Sequence, residues 1–197
     1  MIKLNPVEML EIYLTQRGLK PACLLGRCLT RKGMIINERA SLPEEFRELL
    51  ESTEKPFEER VRIVHGEVLL NFYLGKNKRC LDRLTNAKTD YEFGVSLGYP
   101  LESIDSYLTY VNGELKSGSY MHDQITKAVR ANLTIPRWII YISHIPKHLD
   151  LVNGRVSESS RMQGEFYEKY IRINNPELAK SLQDEMENYL EKIRQPI

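Results

Sequence analysis

The chain has 197 residues, 42% of them hydrophobic, and its 28 Lys and Arg against 27 Asp and Glu leave a formal net charge of +1. A near-neutral chain has no global field to attract nucleic acid or an anionic membrane, so any basic binding surface must be local. No apolar run approaches the ~20 residues of a membrane helix, and the amphipathic, acidic N-terminus does not resemble a signal. We therefore expect a cytoplasmic protein with no membrane partner.

The three cysteines, Cys23, Cys28 and Cys80, are odd in number and lack the two-residue spacing of a zinc knuckle or a redox pair. They are typical of small buried or half-buried thiols in a reducing compartment. The sequence therefore predicts neither a metal nor a cofactor.

The N-terminal part of the chain predicts one clear helix and one ambiguous stretch. Asn5, Pro6 and Glu8 supply a side-chain cap, a first-position proline and an acid in the first turn, and Gly18 would end the helix. The apolar residues 22–29 predict a short helix, with a strand as the alternative.

The next elements are a helix and a β-rich stretch. Residues 41–52 predict a capped, short and charged helix. The β-branched and aromatic residues of 60–75 favour two strands that turn near His65-Gly66, although a helix over 57–70 fits almost as well. We assign a strand to residues 68–74.

The middle of the chain predicts three helices and a second strand region. One helix begins at Asp90 and ends at Gly98, and Pro100 begins the next. A helix over residues 120–133 follows. The run Trp138–Ile142 is apolar on both faces, which predicts an interior strand of a sheet.

Two helices end the chain. Ser157 can cap a helix that runs through Ile173. We expect four of its residues to face inward: Met162, Phe166, Tyr167 and Tyr170. Asn175-Pro176 begins the last helix, on which six apolar residues form one stripe that we expect to face the core: Leu178, Leu182, Met186, Tyr189, Leu190 and Ile193.

Together these elements predict a helix-rich α/β or α+β protein, with a single domain over residues 1–197 around a small sheet. Within this domain, residues 1–55 could form a helical N-terminal subregion.

Two short motifs carry a family resemblance: Leu97-Gly98-Tyr99-Pro100 and His144-Ile145-Pro146. With their surroundings they resemble an uncharacterised prokaryotic family, common in archaea, known as domain of unknown function 483. In that family a pair of cysteines follows the first motif and another cysteine follows the second, where this chain has Leu101-Glu102 and Lys147. The resemblance implies a shared fold, and it implies that any thiolate metal site of the relatives is lost here.

The resemblance also pairs the two motifs in space. We expect a pocket for a small molecule or an anion between segments 98–102 and 143–148. Its binding residues would be Tyr99, Glu102, His144 and Lys147. The alternative for His144 is a structural histidine, hydrogen-bonded to backbone where the predicted strand leaves the core. No catalytic residue is assigned, and the sequence leaves open whether the protein is an enzyme.

A metal site at the histidines of this region is disfavoured. His144, His148 and Asp150 would suit a metal only if their side chains converged. Pro146 lies between the two histidines and breaks the helix that would align them.

Ser119, His122 and Asp123 have the residue types of a catalytic triad, but the Gly-x-Ser-x-Gly nucleophile elbow is absent. A flexible loop with a helix cap at Ser119 explains this stretch more simply.

A basic segment follows the strand predicted at residues 68–74 and contains Lys76, Lys78, Arg79 and Arg83. A helix N-terminus there could bind phosphate, although no Walker pattern is present and a solvated basic face is favoured. With Arg27, Arg31 and Lys32 the segment could bind nucleic acid. The near-neutral net charge of the chain argues against this partner.

A rival function is self-association. The amphipathic last helix could form a homodimer if its apolar stripe were exposed on the isolated chain.

Overall fold

The computed structural model describes residues 4–28, 30–31, 34–35, 42–64, 67–111, 117–144 and 146–195. The chain is a helix-rich α+β protein with a small antiparallel sheet, as predicted. It divides into two compact units, residues 1–98 and residues 99–197. The expectation of a single domain over the whole chain stays a prediction.

Within the part of the first unit that the structure describes there are four helices and five strands. In chain order these are α1 Pro6–Gln16, β1 Ala22–Cys28, β2 Thr30–Arg31, β3 Met34–Ile35, α2 Leu42–Ser52, β4 Phe57–Val64, β5 Glu67–Gly75, α3 Lys78–Thr85 and α4 Asp90–Ser96. Residues 1–55 therefore include strands as well as helices, so they are not an all-helical subregion.

The three-stranded sheet has the order β1-β5-β4, with both pairings antiparallel. The strand predicted at residues 68–74 is confirmed as β5, and the alternative helix over 57–70 is wrong because β4 pairs with β5 from Phe57 opposite Leu74 to Val64 opposite Glu67. The predicted turn at His65-Gly66 lies outside the described residues.

The helix preferred for residues 22–29 is wrong, and the strand alternative is right. β1 pairs with β5 from Ala22 opposite Gly75 to Cys28 opposite Leu69. Cys23 and Leu25 point into a core that also contains Phe46 and Phe72. A seven-residue apolar stretch fits a helix turn or a strand equally well, and pairing with β5 decides between them.

The helix ends of this unit follow the sequence closely. Asn5 and Glu8 form a reciprocal capping box at the start of α1. α4 is capped by Thr89, one residue before the predicted Asp90. Gly98 adopts a φ of +77°, and a Cβ there would lie 2.6 Å from Pro21 Cδ, so this position requires glycine.

In its described residues, the second unit has four α-helices and a short 3₁₀ helix. They are α5 Leu101–Val111, α6 Ser117–Arg130, the 3₁₀ helix Arg137–Tyr141, α7 Glu158–Asn174 and α8 Pro176–Arg194. Its core contains Ile125 and Val129 of α6 together with Trp138, Ile139 and Ile142. No described helix of the chain is both long and apolar enough to cross a membrane.

The interior strand predicted at Trp138–Ile142 is wrong, because residues 137–141 form the 3₁₀ helix. An apolar run buried on several sides suits a helical turn packed among helices as well as it suits an interior strand. Trp138 packs against α7 at Gly164, where a Cβ would lie 2.8 Å from Trp138 Cε3. The close approach of α7 thus fixes the 3₁₀ segment without a sheet.

The inward face predicted for α7 is partly wrong. Tyr167 is buried, but Met162 and Phe166 are exposed and Tyr170 is half-buried. The buried residues of α7 are Ser160, Gly164, Tyr167 and Ile171. The face that contains Gly164 packs inward because α7 lies close to Trp138 there, and this leaves Met162 and Phe166 outside.

The apolar stripe of α8 faces the core of the second unit, as predicted. Leu178 and Leu182 are buried. The other four residues of the stripe are partly buried and pack against the core cluster around Trp138: Met186, Tyr189, Leu190 and Ile193.

Candidate functional site

The structure brings Tyr99 and His144 together within the second unit. Their ring centroids lie 5.3 Å apart at an interplanar angle of 43°. Ser143 Oγ donates a hydrogen bond of 3.4 Å to the Tyr99 hydroxyl. The pairing of the two motifs is therefore present in the fold.

His144 is a buried residue, with 7% of its surface exposed. Its Nε2 lies 3.1 Å from Ser160 Oγ, in the first turn of α7. The alternative prediction placed His144 at the end of a strand, with its side chain bonded to backbone. The structure has a 3₁₀ helix over residues 137–141 in place of that strand, and a side-chain hydroxyl is one partner of the imidazole.

Ser160 is the centre of a buried polar cluster. Ser157 Oγ donates to Ser160 Oγ over 2.8 Å, and Ser103 Oγ of α5 lies 3.0 Å from the same atom. A hydroxyl has one proton to donate and two lone pairs to accept with, so these contacts and His144 use its full capacity. We call Ser103, His144, Ser157 and Ser160 the serine–histidine junction.

The hydroxyl of Ser157 contributes to this junction instead of capping α7. The helix begins after Ser157, but its side chain makes no capping hydrogen bond. The predicted cap at Ser157 is thus correct in position and wrong in the role of the hydroxyl.

The other two predicted binding residues lie near the start of α7. Glu102 accepts a hydrogen bond from the Ser159 hydroxyl. The backbone carbonyl of Lys147 accepts from the Ser157 amide at 2.9 Å, and the Lys147 side chain is half-buried. The structure therefore gathers the predicted residues, but the side chains of Glu102 and His144 bind neighbouring residues of the protein.

The serine–histidine junction has the residue types of a nucleophile and its base, but not the accessibility. Ser160 is completely buried, so its hydroxyl cannot meet a substrate in this conformation. The junction is best explained as a set of hydrogen bonds that ties α5, the 143–148 segment and α7 together.

Two further histidines, His122 and His148, lie within the described residues. His148 is exposed, and its backbone has a φ of +54°. His122 Nδ1 lies 2.5 Å from the Tyr189 hydroxyl. Within the described ranges, no three His, Cys, Asp or Glu side chains are placed to hold a metal ion.

The Ser119 region lies in the first turn of a helix. α6 begins at Ser117, so Ser119 is within the helix and the predicted cap there is wrong. The side chains of Ser117 and Ser119 are outside the described part of the chain.

The basic segment is on the surface of the first unit. Lys78, Arg79 and Arg83 of α3 are exposed and Lys76 is half-buried. Lys78 Nζ lies 2.8 Å from Asp82, which raises the pKa of Lys78. Lys32 and the side chains of Arg27 and Arg31 are outside the described residues, so a combined basic patch stays a prediction.

A cavity of about 440 Å³ lies between the 3₁₀ helix, α7 and α8. We call it the α7–α8 cavity. Its buried lining residues include Tyr141 and Ala179, and Ile140 and Leu190 add half-buried apolar surface. A volume of this size is within the range of small-molecule sites, roughly 300–1,000 Å³.

Three cations and two acids line the α7–α8 cavity. Arg172 pairs with Glu168 at 3.5 Å, and Glu187 accepts a hydrogen bond of 2.8 Å from the Gln183 amide. Among the residues that the structure describes, Arg137 and Lys180 form no ion pair. The lining therefore has an excess of positive charge at its exposed rim.

Tyr141 supplies a neutral hydroxyl to this cavity. Burial raises the pKa of Tyr141, the Glu168 carboxylate raises it further, and Arg172 and Arg137 oppose both effects. The phenol therefore keeps its proton at neutral pH and can donate it in a hydrogen bond.

Sequence reasoning missed this cavity. Arg137 is far along the chain from Arg172 and Lys180, and no motif joins the three residues. The only sequence signal was that Arg137 directly precedes the apolar run 138–142. Because that run was interpreted as a strand, Arg137 was not considered as part of a site.

Comparison of the chain with protein-family models, curated proteins and solved structures found no match. The resemblance to domain of unknown function 483 therefore stays a prediction, and the functional interpretation rests on the geometry described above.

Proposed function

We propose that the protein binds a small organic anion in the α7–α8 cavity. The observation that carries this proposal is the pair of exposed cations, Arg137 and Lys180, in a lining that also contains apolar residues and the neutral Tyr141 hydroxyl. This site replaces the predicted one between segments 98–102 and 143–148. There, the polar groups of Glu102 and His144 already bind Ser159 and Ser160.

The lining favours a ligand with an apolar body and one acidic group. Ile140, Leu190 and Ala179 offer surface to a hydrocarbon chain or ring. A carboxylate or a phosphate at the rim would accept charge-assisted hydrogen bonds from Arg137 and Lys180. Tyr141 would donate one further hydrogen bond to a polar atom of the ligand. The cavity is proposed to bind this ligand, and no reaction is assigned to it.

We also propose that the protein is cytoplasmic. This location is supported by Cys23 and Cys80, which are free thiols, as expected for a reducing compartment.

Titration with hexanoate, hexyl phosphate and hexanol tests the proposal. These probes share one apolar chain and differ in the head group, and none absorbs where tryptophan does. Trp138 is the sole tryptophan and directly follows Arg137, so its fluorescence can report binding. We expect both anions to bind and hexanol to bind at least about tenfold more weakly.

Substitution of the rim separates this site from non-specific association. We expect Arg137→Ala and Lys180→Ala each to weaken hexyl phosphate binding about tenfold, since each removes a charge-assisted hydrogen bond. Arg130→Ala is the matched control, because Arg130 is an exposed cation of α6 that does not line the cavity. Equal affinity for hexanol and the anions, or equal loss with Arg130→Ala, would contradict the proposal.

A further inference from the structure

The outer face of α7 carries an exposed apolar stripe. Met162, Phe166 and Ile173 have 59%, 52% and 69% of their surfaces exposed. With Lys169 they are spaced by four, three and four residues, so all four lie on one side of the helix. This spacing is that of the contact positions in a two-stranded coiled coil.

An antiparallel arrangement of two copies of this helix gives each stripe residue a suitable partner. With a two-fold axis at the centre of the stripe, Met162 lies opposite Ile173 of the second copy. Phe166 lies opposite Lys169 of the second copy. The methylene chain of lysine can cover the aromatic ring, and its ammonium is attracted to the ring face.

Charges beside the stripe favour the same arrangement. Glu165 and Arg172 flank it on one side, seven residues apart. In an antiparallel pair the same flank of both helices meets, so Glu165 of each copy lies near Arg172 of the other. Both residues are exposed, and their ion pairs within α7, with Arg161 and Glu168, are on the surface and readily exchanged.

A parallel arrangement lacks this complementarity. It would place Lys169 opposite Lys169 at a contact position, where two like charges repel each other. It would also leave Glu165 away from Arg172. The sequence of this face therefore distinguishes the two orientations.

We propose that the protein self-associates through an antiparallel pairing of α7 with α7 of a second copy. The apolar stripe is separate from the ligand site, because Phe166 and Met162 do not line the α7–α8 cavity, and Arg172 is the residue that the two proposals share. It also differs from a homodimer through α8, whose apolar stripe packs on its own core. A stripe of four residues on a 17-residue helix is a small contact, so the dimer is weak, with a Kd on the order of 100 μM.

Sedimentation equilibrium of the full chain over a range of concentrations around the expected Kd measures this association. We expect a reversible monomer–dimer equilibrium, and we expect Phe166→Glu to raise the Kd at least about tenfold. Val152→Glu is the control, because Val152 is an exposed apolar residue of the same unit outside α7. It should leave the Kd unchanged.

Charge reversal tests the orientation. Two-fold symmetry makes each single change act at two places, so we expect Glu165→Arg or Arg172→Glu to raise the Kd about fivefold. The double variant exchanges the two charges and should restore the original Kd. Circular dichroism of each variant shows whether α7 remains helical.

Three results would overturn the proposal. A chain that stays monomeric well above the expected Kd has no such dimer. A dimer that survives Phe166→Glu uses another surface. A dimer lost on Phe166→Glu but insensitive to both charge reversals, or not restored in the double variant, is not the antiparallel pair.

Discussion

Lys20 Nζ lies 2.5 Å from a carboxylate oxygen of Glu11, and both side chains are buried in the first unit. An ion pair removed from water is held by mutual attraction against a large desolvation cost. Loss of one partner therefore leaves an uncompensated buried charge.

We expect Lys20→Met to lower the free energy of unfolding by about 3–5 kcal/mol, because Glu11 keeps its buried charge without a partner. The double variant Lys20→Met with Glu11→Leu should recover most of this loss, since it removes both charges. Urea denaturation of the three proteins measures the difference. A double variant as unstable as Lys20→Met would show that the pair contributes more than charge compensation.

Cys23 lies near this ion pair and should be unreactive in the folded protein. Burial and the Glu11 carboxylate raise the pKa of Cys23 from 9.0 to about 12, so almost no thiolate exists at neutral pH. We expect iodoacetamide to modify Cys80, which is half-buried, much faster than Cys23. Peptide mass spectrometry over time measures both rates, and equal rates in native conditions would refute the assignment.

The same shift of pKa predicts a loss of stability in alkali. The folded-state pKa of Cys23 lies above its unfolded value, so the stabilising effect of the neutral thiol is complete below pH 9.0 and declines as the pH rises towards about 12. Cys23→Ala removes this titration. We expect its free energy of unfolding to fall less than that of the parent between neutral pH and pH 10, the highest pH of the comparison.

Ser160 should be important for stability, since it satisfies three polar neighbours. We expect Ser160→Ala to cost about 1–3 kcal/mol, because Ser103, Ser157 and His144 lose a buried hydrogen-bond partner. Ser181→Ala is the control, since Ser181 bonds only the Glu177 carbonyl on the exposed side of α8. Thermal unfolding measures both variants. Equal small effects would mean that the serine–histidine junction has no special role.

Gly164 should tolerate no larger residue. A Cβ at this position would lie 2.8 Å from both the Trp138 ring and the Trp138 carbonyl oxygen, so Gly164→Ala should push α7 away and cost about 1–3 kcal/mol. Gly26→Ala is the matched control, because its nearest neighbour would be 3.6 Å away. Chemical denaturation followed by Trp138 fluorescence measures the loss. An unshifted midpoint for Gly164→Ala would contradict the described packing.

Local signals determined much of the secondary structure. Three helix ends lie where the sequence predicts them: at Asn5 and Glu8, at Gly98, and at Asn175-Pro176. Each is set by interactions between residues that are only a few positions apart. The strand over 68–74 is recognisable from its β-branched and aromatic residues. These features depend on the chain near each residue, so the sequence alone specifies them.

The secondary structure of apolar runs without a distinct period was determined only by the tertiary structure. Residues 22–28 become a strand because β5 pairs with them, and residues 137–141 become a 3₁₀ helix because α7 lies against Trp138. The exposed side of α7 follows from the same contact, since Gly164 allows the close approach and leaves Met162 and Phe166 outside.

The sequence predicted that Tyr99 and His144 meet only through its resemblance to a family in which the two short motifs occur together. It did not determine that the His144 imidazole would bind Ser160, or that Arg137 and Lys180 would line one cavity. Those relationships join residues from separate elements, and no spacing along the chain encodes them. Only the packing of the 3₁₀ helix with α7 and α8 brings them together.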